Sequence, residues 1–155
     1  MYRFRYIQFI GLIFLFSCDF GTRTDIKAGP QKRLEGYISK SFSINKVEDR
    51  RGLEDYLTGP TKTRLTSWSD DQFKSAFVDS KRIFKNLLIR DVKEVSEKVV
   101  SITYELTYID QKSNAGAKVT SRKVSQMTKL GGIWYISEVR NIKEMIEYTN
   151  ELSLP

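Results

Sequence analysis

The 155-residue chain predicts an α+β fold, with helices in its first half packed on a curved antiparallel sheet of about four strands. Three observations predict it. Leu34, Tyr37, Ile38 and Phe42 recur at the spacing of one helix face. Val100, Ile102, Tyr104, Leu106 and Tyr108 alternate with Val99, Ser101, Thr103, Glu105 and Thr107, the period of a half-buried strand. Gly131-Gly132 separates two strand-like runs as a tight hairpin would. Helices first and strands after is the order of an α+β domain.

The elements follow in order. Leu34 to Phe42 marks the first helix. Val47, Leu53, Tyr56 and Leu57 predict a second, weakened by Gly52 and closed by Gly59-Pro60. Thr61 to Trp68 adds a short helical turn. Ser69-Asp70-Asp71-Gln72 matches a capping box, in which Ser69 takes the Gln72 amide and Gln72 reaches back. Asp70 and Asp71 suit the positive end of that helix, and Phe73, Ala76 and Phe77 form its apolar stripe. Leu87, Ile89, Val92 and Val95 predict a strand that bends. The strand through Tyr104 follows, with its turn at Asn114-Ala115-Gly116 and a polar strand over 117–130. Ile133 to Val139 returns, and Ile142, Met145, Ile146 and Tyr148 either extend that strand or start a closing helix.

The first residues carry a different signal. Arg3 and Arg5 precede an apolar run from Tyr6 to Phe16, then Ser17 and the chain's one cysteine, Cys18. That run of roughly 11 residues is short of the ~20 that cross a bilayer as a helix. A basic start, a short apolar core and a small residue before a cut resemble a bacterial lipoprotein signal peptide. The resemblance implies that the Cys18 thiol takes a diacylglyceryl group and that its freed amine takes a further, palmitate-type chain. Phe16 departs from it, being bulkier than usual at that position. The expected organisation is a signal peptide over 1–17, a lipidated cysteine and flexible tether over 18–30, and a single α+β domain over 31–155.

Composition narrows the function. Losing 17 of 155 residues, with Arg3 and Arg5 among the 26 basic ones against 19 acidic, leaves 138 residues and a charge of +5. That excess of positive charge reads as a solvated surface before it reads as a site for phosphates or carboxylates of the envelope, and nucleic acid is not an expected partner. The chain has no histidine and no second cysteine. Ser-His-Asp and Cys-His nucleophile pairs are therefore excluded, as are His/Cys zinc sites and any disulfide within the chain. Glu48-Asp49 and Glu54-Asp55 lack the oxygen spacing and central glycine of a calcium loop. No metal, cofactor or catalytic residue is expected.

The helix ending Tyr56-Leu57-Thr58-Gly59, the run Val99-Val100-Ser101-Ile102-Thr103-Tyr104 and the hairpin Lys129-Leu130-Gly131-Gly132-Ile133-Trp134-Tyr135-Ile136 carry a second resemblance. Over roughly residues 31 to 142 the chain resembles the nuclear-transport-factor-2-like superfamily, the cone-shaped fold shared with ketosteroid isomerase. More narrowly it looks like the small lipoprotein domains of that superfamily. A cystatin-like helix-on-sheet arrangement is the alternative. The cone implies a pocket between the concave sheet face and the helices, for which Tyr56, Tyr104, Trp134 and Glu138 are the candidate lining residues. The superfamily holds enzymes and non-enzymes alike, so fold alone does not decide activity.

Trp134, Ile136 and Glu138 fall on one face of the last strand by alternation. Glu138 brought near Tyr104 would be an acid–base pair for proton abstraction beside a carbonyl; a Glu138 pointing to water at the strand end is the blander reading. Trp68, Phe73, Phe77 and Phe84 read as helix packing against the sheet before they read as a ligand surface. Lys118 and Arg122 share a strand face, with Lys123 offset by one. They read as a solvated face or as a stripe toward anionic head groups.

The expectation is a membrane-bound envelope lipoprotein, facing periplasm or cell surface, whose non-enzymatic domain binds a protein or a small apolar ligand. The alternative is an isomerase or dehydratase of the cone type. A surface lipoprotein that binds proteins outside the cell is a third class. Cys18→Ser is expected to leave an unlipidated precursor that moves to the aqueous phase in detergent phase separation; unchanged partitioning would refute the anchor.

Overall fold

The computed structural model describes residues 29–112 and 116–148. Cys18, the segment before it, all of the tether but Gly29 and Pro30, and Asn114-Ala115 of the predicted turn lie outside the described residues. Among the described residues four α-helices precede four strands: α1 Pro30–Phe42, α2 Arg50–Glu54, α3 Gly59–Thr66, α4 Asp70–Phe73, β1 Arg82–Ser96, β2 Val99–Asp110, β3 Ala117–Leu130 and β4 Ile133–Tyr148. The sheet is an antiparallel meander in the order β1-β2-β3-β4. The α+β architecture, with helices on a four-stranded antiparallel sheet, is thus present. Among the described residues no helix is long and apolar enough to cross a membrane.

Pro30 opens α1, where its missing N–H costs nothing. Leu34 and Ile38, one turn apart, point into the core, with Tyr37 and Phe42 beside them. The second predicted helix is broken. Val47–Asp49 forms a single 3-10 turn, with the Asp49 carboxylate accepting from the amides of Asn45 (3.1 Å) and Lys46 (3.3 Å). Those amides hold the Asp49 carboxyl below its usual range, the Asn45 amide most of all. Helix α2 then stops at Glu54, ahead of Tyr56 and Leu57. Gly59-Pro60 does not close α2; it opens α3, because proline suits a first helical turn better than a last one.

The capping box forms as predicted. Gln72 N donates to Ser69 Oγ at 3.2 Å and Ser69 N donates to Gln72 Oε1 at 2.8 Å. Helix α4 then widens into one π turn over Lys74–Val78. Arg50 ties α2 to this corner. It donates to the carbonyls of Trp68 and Ser69, pairs with Asp70 at 3.0 Å, and lies 4.7 Å from the Phe73 ring centre.

The predicted bend in β1 is three register shifts, at Phe84/Asn86, Ile89/Asp91 and Glu94/Ser96. Each inserts a residue and bends the strand. Strand β2 alternates as predicted, with Val100, Ile102, Tyr104 and Leu106 buried against the helices. Gly131 and Gly132 have φ of 57° and 85°, and a two-residue turn with both φ positive matches the twist of the flanking strands. Residues 140–148 extend β4 and do not form a closing helix.

The core joins Leu34, Ile38, Leu53, Leu57 and Phe73 of the helical half to Ile102, Tyr104, Met127 and Ile136 of the sheet. Phe73 is fully buried and stacks on Phe77 at 4.8 Å, in keeping with helix packing; Phe84 stands apart, edge-on to Phe42 at 5.6 Å. Backbone bonds fasten the two halves. Ile136 N donates to Tyr56 O and Thr58 N donates to Ile136 O, both at 2.9 Å, so Leu57 forms a parallel bridge on the edge strand. Arg33, only 5 % exposed, adds a clamp: it donates to Trp134 O (3.2 Å) and Asp55 O and lies 4.0 Å from the Tyr56 ring centre. Arg33→Met strands two carbonyls and is expected to lower unfolding free energy in urea by about 2–3 kcal/mol; a loss near zero would show that the clamp is idle.

Candidate functional site

A cavity of about 530 Å³ lies between the helices and the concave sheet face. Helix α1 contributes Tyr37, Ile38, Ser41 and Phe42 to its wall, placed there by the same helical spacing that buries Leu34. Helix α3 and the turn after it contribute Arg64, Leu65 and Trp68, and the π turn contributes Ala76 and Phe77. The sheet supplies Arg82 from β1, Tyr104 and Leu106 from β2, Lys123 from β3, and Val139 and Asn141 from β4.

Which β4 residues enter is decided by a bulge. Ile136 pairs with Met127 and Glu138 with Gln126, which leaves Ser137 as the extra residue. Ser137 Oγ donates to Gln126 O at 3.1 Å, and Thr61 Oγ1 of α3 donates to Ser137 O at 2.8 Å. From here to Asn141, where Ile142 is a second extra residue, the alternation is inverted. Val139 and Asn141 face inward, while Glu138 lies on the outer face, 48 % exposed and 3.4 Å from Arg140. The expectation that Trp134, Ile136 and Glu138 share a face therefore does not hold.

Of the candidate lining residues, Tyr104 reaches the cavity. Its hydroxyl accepts from Ser125 Oγ at 3.4 Å, and burial pushes its pKa up. Tyr56 and Trp134 lie beside Arg33 and do not line the cavity. Glu138 is turned away, so it and Tyr104 are not brought together. The basic stripe also splits. Arg122, on the outer face, pairs with Glu105, which Arg90 binds from the other side, and the two guanidinium groups hold that carboxyl below its usual range. Lys118 pairs with Glu147. Lys123 pairs with Tyr104 on the inner face and enters the cavity.

Three residues that sequence reasoning did not assign to the pocket now matter. Tyr37 is half-buried against the core, and desolvation, reinforced by neighbouring Tyr104 and opposed by Arg82, pushes its pKa up to about 12. Burial lowers the pKa of Lys123; Glu144 opposes that shift and the positive charge of Arg82 adds to it. Lys123 forms no ion pair or side-chain hydrogen bond among the described residues. Arg82 donates to Ala76 O at 2.8 Å, yet its Nε is buried without a partner among the described residues. For Lys123 the signal was present in its one-residue offset from Arg122, which in a strand means the opposite face. No comparable signal marked Arg82 or Tyr37. Among the described residues no group of three or more His, Cys, Asp or Glu stands together to hold a metal ion.

No protein-family model matches the chain, and no curated protein matches it. Among solved structures it is similar to a SEC-C motif containing protein from Rhodopseudomonas palustris, with a TM-score of 0.53 and 17% identity. The match covers 78% of this chain and 84% of that one. At that identity the likeness shows a shared fold and nothing of function.

The Tyr37 shift gives a signed expectation. From pH 10, the phenol's ordinary value, to about 12, the folded chain keeps a proton that the unfolded chain has released. Stability contributed by Tyr37 is whole below that window and falls across it by at most about 1.4 kcal/mol per pH unit. Lys123, with its lowered pKa, acts with the opposite sign at lower pH. Tyr37→Phe should flatten the decline in urea midpoint across the window; an unchanged slope would mean that the phenol is not desolvated.

Proposed function

We propose that the chain is an exported, lipid-anchored envelope protein whose domain binds a small ligand without transforming it. The anchor rests on Arg3, Arg5, the apolar run to Phe16 and Cys18. The reading places the protein on a bacterial membrane, facing periplasm or cell surface. We also assign the domain to the nuclear-transport-factor-2-like group. Supporting this are four α-helices ahead of a bent meander, helices laid on one sheet face, and an open cavity between them.

The observation that carries the binding role is the cavity itself. Its volume of about 530 Å³ sits within the ~300–1,000 Å³ of small-molecule clefts. Its wall mixes apolar and aromatic side chains with a few polar ones, the composition that orients a ligand rather than fills a core. The enzymatic alternative needs a base close to Tyr104. With Glu138 on the far side of the sheet, the lining residues include no carboxylate to act as one.

Mass spectrometry of small molecules released by denaturing the purified full chain tests the role. Val139→Phe fills the cavity with a side chain that suits a strand. The wild type should carry over a compound that this variant lacks. Identical profiles would sink the binding reading.

A further inference from the structure

The cavity wall is electrically one-sided. Arg64, Arg82 and Lys123 line it, and no Asp or Glu does. Two of these cations are arranged unusually. Among the described residues, Lys123 is half-buried on the inner sheet face and makes no ion pair, with Glu144 acting on it only from a distance, and the Arg82 Nε is buried and unbonded. The Arg82 guanidinium lies 5.6 Å from the Phe42 ring centre and 5.8 Å from those of Phe77 and Tyr108, which hold it beside the opening. Placing like charges together in a partly dry site is unfavourable for folding, and such arrangements recur where a ligand supplies the missing charge.

We propose that the cavity takes a small organic anion, a flat apolar body carrying one carboxylate, with Lys123 and Arg82 receiving the carboxylate and Phe42, Trp68 and Phe77 flanking the body. This rests on the ligand-binding reading above and adds the chemistry of the ligand. A guanidinium presents a fork of N–H donors that matches a carboxylate, and an ammonium adds a point charge. The phenols of Tyr37 and Tyr104, kept protonated by burial, add neutral donors in the same wall. A phosphate is less suited, since the lining contains no glycine from which an amide cradle is built. Around Lys123 the other charged or titratable groups are Arg82 from β1, Tyr104 from β2, Glu144 from β4, Tyr37 from α1 and Arg64 from α3. Burial lowers the pKa of Lys123, Glu144 opposes that shift, and a ligand carboxylate on Lys123 would oppose it further.

Calorimetry on the full chain in mild detergent, with a detergent blank, compares 2-naphthoate with its neutral isostere 2-naphthamide. The naphthoate is expected to bind about ten-fold more tightly or better, the size of one good charged contact. Lys123→Met should remove about that factor for naphthoate and leave naphthamide unchanged. The same variant should raise the unfolding midpoint, because it deletes an unpaired, desolvated charge. If Lys123→Met does not fold, the wild-type comparison of the two probes decides alone. Equal affinity of the two probes, or a Lys123→Met variant with full naphthoate affinity, would overturn the anion site while leaving a neutral-ligand pocket intact. If neither probe binds but the wild type still carries a compound that Val139→Phe lacks, the anion site falls and the binding reading stands. Failure of both experiments removes both.

Discussion

The helical half of this protein is fastened to the last strand by hydrogen bonds to backbone, and the rest of the structure depends on that fastening. Leu57 bridges to Ile136, Thr61 reaches the Ser137 carbonyl, and Arg33 spans from Asp55 O to Trp134 O. Hydrophobic contact alone is non-directional and would let short helices slide over the sheet. Three directional attachments within the Trp134–Ser137 stretch fix where α1 and α3 lie. They also occupy hydrogen-bonding groups of an edge strand that would otherwise be open to pairing with another chain.

The same stretch carries the bulge that selects the contents of the cavity. A single inserted residue, Ser137, exchanges the two faces of β4 as far as Asn141, where a second inserted residue, Ile142, exchanges them back. Val139 and Asn141 turn inward and Glu138 turns out. A carboxylate inside would have neutralised Lys123 and supplied a base. Its removal to the outer face leaves a cavity with cations, phenols and aromatic walls. The π turn after α4 serves a related end on the opposite wall, where a local widening accompanies Phe77 at the opening while Phe73 stays fully buried.

The elements whose formation is local were legible in the sequence. The Ser69–Gln72 capping box, the Gly131-Gly132 turn, the α1 stripe and the β2 alternation each depend on residues a few positions apart, and each formed. The second helix was misread because Tyr56 and Leu57 continue a helical pattern that a distant partner, Ile136, interrupts. Of the four candidate lining residues only Tyr104 lines the cavity. It lies on a strand whose register is unbroken against β3, whereas Glu138 lies just past a bulge.

Charge, the lack of histidine, the single cysteine, the α+β order and the alternation of each strand are properties of the chain as written, and the sequence alone determined them. Which face of β4 looks inward along its length, and which basic residue stands in the cavity without an ion pair, only the tertiary structure decided. Alternation along a strand has a period of two, so an inserted residue reverses the assignments after it until a second insertion, here Ile142, restores them. The carbonyl of the inserted Ser137 accepts from Thr61, more than seventy positions away, a contact that no local pattern in the sequence announces.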